Sequence, residues 1–113
     1  MTESLTLAVI GHLVGDYLLQ SDWMALNKKK RTTPCVIHCV IWTLCVGLFS
    51  GWLFYQNWTG ALIGLVLFTT HFIQDRTQII LFWMTRIMAP WSIIVVDNVW
   101  HIVTLWFVWK FIA

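Results

Sequence analysis

The chain holds four long apolar stretches, and every one of them carries a histidine. Three of those histidines stand four residues from an aspartate, as His12/Asp16, His71/Asp75 and Asp97/His101. The fourth, His38, lies in the remaining stretch without such a partner. On a helix, an i,i+4 spacing puts both side chains on one face about one turn apart. Ionisable groups in apolar surroundings are costly unless they are paired. The helices of this chain must therefore turn their polar faces toward one another.

Composition decides what lies outside those faces. Of 113 residues, 59% are hydrophobic and 11% charged, with a mean hydropathy of +0.76. Soluble domains carry about 25% charged residues. The expected class is an all-α integral membrane protein, a four-helix bundle forming a single transmembrane domain over 1–113. A net charge of +2 is too small to argue for nucleic acid, and none is expected as a partner. The three cysteines, Cys35, Cys39 and Cys45, all fall in one apolar stretch and do not form a disulfide framework. They read as small buried hydrophobes rather than ligands. No positive region precedes the first apolar run, so it is not read as a cleaved signal.

About 20 mostly apolar residues cross a bilayer. The expected spans run roughly over 4–24, 35–55, 60–83 and 91–111. Lys28, Lys29, Lys30 and Arg31 form the one strong basic run. Positive loops favour the cytoplasmic side. That places the first loop inside, the uncharged turn near Asn57 outside, and both termini on the extracytoplasmic side. Arg86, with Arg76 snorkelling, puts the third loop inside as well. Counting a rise of 1.5 Å per residue, the four histidines and three aspartates fall in one slab about 12 Å thick. The order Asp97-then-His101 reverses that of the other two pairs, as an antiparallel helix requires if the aspartates share a level. Among the tryptophans, Trp23, Trp52, Trp58, Trp83 and Trp91 fall near span ends, as an interfacial belt would. Gly11/Gly15 and Gly60/Gly64 are small-xxx-small pairs that permit close helix contact.

His12, Asp16, His38, His71, Asp75, Asp97 and His101 are the expected metal ligands. Histidine with carboxylate suits zinc, with manganese or iron as alternatives. His12, His71 and His101 are the preferred ligands. Asp16, Asp75, Asp97 and His38 are the candidates for catalytic work as ligands, bridging groups or acid/base groups. Gln20 lies one turn beyond Asp16 on the same face, and Lys28 follows at the cytoplasmic mouth. Both are expected to contact substrate. A buried polar network that only tethers helices, and a proton or ion path, use similar residues. The first is a poor reason to keep three aspartates at about 2.5–3.5 kcal/mol apiece on insertion scales.

These residues resemble a known family. His12-x3-Asp16-Tyr17-x-Leu19-Gln20, then Ala25 and Lys28, then His38, His71-x3-Asp75 and Asp97-x3-His101 look like the pattern of small bacterial and phage membrane proteins classed only as a domain of unknown function. The likeness covers nearly the whole chain. The chain departs from the pattern at Gln78, where the family has a lysine, and at Asn98, where it has glutamine. The resemblance implies a multi-pass protein of the bacterial inner membrane. A looser similarity to membrane-bound metal-dependent hydrolases supplies a reaction class. The expected function is metal-dependent hydrolysis of a lipid-like or interfacial ester or phosphoester, reached from the cytoplasmic leaflet. The alternative is a non-enzymatic membrane protein: a metal or proton carrier, or a partner of a host membrane complex. Membrane lipid is the expected partner, with a homo-oligomer or a host membrane protein as further ones.

Overall fold

A computed structural model describes residues 2–28, 30–54, 57–77 and 90–112. Lys29, Gln78, Trp83 and Arg86, which entered the readings above, lie outside the described residues. Within them, every regular element is helical. Helix α1 spans Thr2–Leu13 and runs into a π-helical turn, Val14–Leu18. Helix α2 spans Asp22–Asn27, α3 Thr32–Ser50, α4 Trp58–Thr77 and α5 Pro90–Phe111. A short 3-10 turn, Trp52–Phe54, follows α3.

The single helix expected over 4–24 is therefore two. The Leu19 N–H bonds the Val14 carbonyl at 3.0 Å, the i→i+5 closure of a π-turn. The chain then leaves the helix, and α2 restarts at Ser21, whose hydroxyl accepts from the Met24 N–H at 3.3 Å. Helix α3 stops at Gly51, which takes φ +86° in the left-handed region that glycine enters without a steric penalty. Asn57 starts α4 by accepting from the Gly60 N–H at 3.1 Å.

The four long helices close a ring. Helix α1 packs on α3, α3 on α4, α4 on α5, and α5 back on α1. Hydrogen bonds tie one end of it. The Ser4 hydroxyl donates to the Ser50 carbonyl at 3.0 Å and accepts from the Trp109 indole at 2.9 Å. The start of α1 thus meets the ends of α3 and α5, which run antiparallel to it. The short α2 lies against α3.

Inward positions recur at about every fourth residue. They are Ala8 and His12 on α1, and His38, Trp42 and Val46 on α3. On α4 they are Ile63, Leu67, His71 and Asp75, and on α5 His101, Leu105 and Trp109. The interior is consequently divided by level. Toward the Ser4 end it is an apolar core of Ala8, Val46, Ile63, Leu67, Leu105 and Val108. Toward the opposite end, the same stripes carry the histidines and aspartates.

Close approach of the helices rests on glycine. A Cβ at Gly11 would lie 2.7 Å from the Cys45 carbonyl oxygen, and one at Gly64 would lie 2.9 Å from the Trp52 ring. Trp52, read above as a belt residue, is instead buried, within reach of Gly47 on α3 and Gly64 on α4. The glycines leave a slot that its ring fills. Among the described residues one helix, Thr32–Ser50, is long and apolar enough to cross a membrane, with a mean hydropathy of 1.7 over its best window. Helix α1 is too short by that measure, because the π-turn follows Leu13, and the expected span over 60–83 runs beyond the described residues.

Gly11→Val is expected to destabilise the fold by about 1–3 kcal/mol, the usual cost of forcing methyl groups into a packed contact. Thermal unfolding followed by circular dichroism checks this.

Candidate metal centre

The polar level of the bundle is assembled from four elements. The π-turn supplies Asp16, α3 supplies His38, α4 supplies His71 and Asp75, and α5 supplies Asp97 and His101. His38, His71, Asp75 and His101 are all buried, and Asp16 is 11% exposed. Asp97 is the open one, at 32%.

One group is compact. Asp16, His38, His71 and Asp75 each present a ligand atom, all within 4.8 Å of one another. His38 Nε2 lies 3.1 Å from Asp16 Oδ1, 2.9 Å from Asp75 Oδ2 and 3.1 Å from His71 Nε2. His71 Nε2 lies 3.1 Å from Asp75 Oδ2 and 3.6 Å from Asp16 Oδ1. A single ring N–H can serve one of these neighbours well, not three. Asp16 Oδ1 receives no well-directed hydrogen bond, close as His38 is. These atoms converge on a point rather than pair off. Four donors at 2.0–2.1 Å from a tetrahedral ion are about 3.3–3.4 Å apart. The separations observed, from 2.9 to 3.6 Å, lie on both sides of that value, and this buried set can hold an ion.

The second group, Asp75, Asp97 and His101, also has ligand atoms within 4.8 Å of one another. It shares Asp75 with the first.

His12 stands apart from both groups. The Trp42 indole N–H donates to His12 Nδ1 at 2.9 Å. Indole can only donate, so His12 carries its proton on Nε2, which donates to Asn98 Oδ1 at 3.1 Å. Both ring nitrogens are therefore engaged. The approach of His12 Nδ1 to Asp16 Oδ2, 3.4 Å, sets two acceptors side by side and is not an ion pair. Asp16, on the π-turn, directs its Oδ1 to His38 and His71, while the His12 ring faces Trp42. His38 takes the place among the ligands that the sequence spacing suggested for His12. The cysteines stay out too. Cys35 and Cys39 face each other at 4.0 Å, and neither belongs to a ligand group among the described residues.

Trp42 is the residue whose part the sequence reading missed. It bonds His12 and also stacks on His71, with centroids 3.9 Å apart and planes 8° from parallel. One indole thus fixes two histidines. Its signal in the sequence was its position one turn after His38, opposite Gly15. A Cβ on Gly15 would sit 3.0 Å from the Trp42 ring.

Lys28 and Gln20 were expected to meet substrate. Gln20 donates to the Asp16 carbonyl at 3.1 Å, and its Oε1 is buried without a partner. Lys28 is turned inward, its Nζ 3.0 Å from Asp75 Oδ2. Burial alone would lower its pKa, but Asp75 and Asp16 outweigh burial and hold the ammonium above its ordinary value. A raised lysine contributes stability that is complete below the unfolded value of about 10.4. That contribution is lost only as pH climbs through the higher folded value.

A family model described as protein of unknown function (DUF3307) matches residues 4–113. The chain belongs to that family. Searches of curated proteins and of solved structures give no match. The DUF3307 match takes in all the residues of both ligand groups, so the site is part of the family domain and not an appendage to it.

Lys28→Met leaves Asp75 without its lysine. Loss of one partner of a buried ion pair costs about 3–5 kcal/mol. That loss is expected in the presence of a chelator and should be largely restored by saturating divalent cation. Thermal unfolding with and without the cation checks both halves.

Proposed function

We propose that this protein is a membrane-embedded, metal-dependent hydrolase acting on a lipid-like ester or phosphoester. The observation that carries the proposal is the convergence of Asp16 Oδ1, His38 Nε2, His71 Nε2 and Asp75 Oδ2 at ligand-to-ligand spacing. Two imidazoles and two carboxylates suit zinc best, with manganese or iron as alternatives. A bound ion of this kind lowers the pKa of a water to about 7 and polarises a scissile oxygen.

The chain's own residues supply the rest. Trp42 holds the His71 ring by stacking. Lys28, beside Asp75, places a positive charge where a developing oxyanion gains from it. The partly exposed Asp97 marks the side on which the cluster opens.

The membrane setting draws on the outer surface. Exposed apolar side chains cover every long helix: Leu7 and Ile10, Val40 and Leu44, Leu62 and Leu65, Val99 and Val103. Soluble monomers rarely present apolar patches beyond a few hundred Å². Here the polar groups are inside and the apolar ones outside, the arrangement a bilayer favours. The longest dimension, 42 Å, equals the thickness of a bilayer with its headgroups, about 40–45 Å. In this reading the four long helices span the inner membrane of a bacterium. The loop with Lys30 and Arg31 faces the cytoplasm, and the termini face outward.

The reaction is tested by metal-dependent product release from a panel of lipid phosphoesters and carboxylic esters in liposomes. Asp75→Asn is expected to lower turnover by at least about 100-fold, the scale for losing a ligand or its support. Failure of every substrate with metal-loaded wild type would move the weight to a carrier or interaction protein. Retained turnover in the variant would make Asp75 structural. The orientation has its own test: a cysteine placed at Asn57 should label with an impermeant reagent from outside the cell, and one at Lys30 should not. The reverse pattern would invert the topology.

A further inference from the structure

His101 carries a buried lone pair that the chain leaves unmatched. Its Nδ1 lies 2.7 Å from the Asp97 carbonyl oxygen. A carbonyl only accepts, so Nδ1 holds a proton, and in the neutral ring Nε2 is bare. The residue is 1% exposed, and Nε2 has no hydrogen-bond partner. What it faces is Asp75 Oδ1, 3.4 Å away. In the neutral ring two acceptor atoms are thus held side by side in the interior, an arrangement that costs free energy unless a proton or a metal cation sits between them.

The ring has little freedom to turn away. His71 lies against it with centroids 4.6 Å apart, and His12 stacks on it at 5.4 Å. Asp75 is equally constrained. Its Oδ2 faces His38, His71 and Lys28, while Oδ1 points to His101. One carboxylate therefore turns an oxygen to each ligand group. The Asp97 carboxylate completes the second group and is its most open member.

We propose a second cation site formed by Asp75 Oδ1, His101 Nε2 and the Asp97 carboxylate, so that Asp75 bridges a two-ion centre. The inference rests on the first site described above and extends it. Paired ions about 3.5–4 Å apart clamp the attacking and leaving oxygens of phosphoryl groups. Charge points the same way. Lys28 and one divalent ion already balance Asp16, Asp75 and Asp97. A second ion leaves two positive charges at the open edge, which suits an anionic phosphoester better than a neutral carboxylic ester.

The experiment is metal stoichiometry on the purified full chain, loaded with manganese, measured by elemental analysis and by electron paramagnetic resonance. Wild type is expected to hold about two ions per chain, with the exchange-coupled signal of a bridged pair. His101→Ala should hold about one, with the signal of an isolated ion, because the first ligand set is untouched. His101→Gln carries the same expectation and keeps most of the ring's volume, should the alanine variant not fold by circular dichroism. One ion in wild type, unchanged in the variant, overturns the second site and leaves the first standing. Two ions in both proteins would also overturn it, since the second ion would then lie elsewhere. Loss of both ions from a folded variant would show one site rather than two. No ion in wild type would sink the metal reading altogether.

Discussion

Everything at the polar level of this bundle turns on how the Asp75 carboxylate is kept charged in the interior. It is 3% exposed and has His38, His71, His101 and Lys28 around it. An isolated buried carboxylate would not survive as an ion. Each neighbour comes from a different place in the chain: α3, α4, α5 and the C-terminal end of α2. The short α2 buries Met24 against the bundle, and Lys28 at its end binds it electrostatically to the ring. The charge on Asp75 thus organises the tertiary structure as well as the candidate chemistry.

The bundle divides its labour along its axis. One half is held by conventional packing, with Trp52 set beside Gly47 and Gly64 and the Ser4–Ser50–Trp109 hydrogen bonds closing the end. That half needs no cation. The other half repeats the same inward positions but fills them with imidazoles and carboxylates. The packed first half supports the second, where the Asp75 carboxylate is shared between two groups of ligand atoms.

Much of this could be read before any coordinates. Four apolar stretches, three of them with i,i+4 His/Asp pairs, implied helices with polar faces meeting inside. His71 and Asp75 sit together in the first ligand group, and Asp97 and His101 in the second. Three features resisted. His12 keeps its i,i+4 approach to Asp16 but stands outside both groups, because Trp42 and Asn98 engage its ring nitrogens, and neither partner shows in the spacing. Lys28 was singled out of the run of four basic residues for substrate, and nothing in the run announced that its ammonium turns to Asp75. Trp42 was one tryptophan among nine. Its bond to His12 depends on the close approach of α1 to α3 that Gly11 and Gly15 allow, and its stack on His71 on the packing of α4.

The π-turn at Val14–Leu18 has a consequence for how such a chain can vary. It is in effect one surplus residue accommodated within a helix. Deleting a residue there would restore regular α pitch while barely changing length or apolarity. Yet it would rotate everything beyond it by about 100°, one residue's share of a 3.6-residue turn. Asp16 would swing off the His38–His71 axis, and Gly15 would no longer clear the Trp42 ring. A change invisible to composition would thus dismantle the site, whereas substitutions on the outer face that keep it apolar would pass unnoticed. Homologous chains should therefore tolerate free exchange among aliphatic residues on their exteriors and almost no change in spacing between His12 and Gln20.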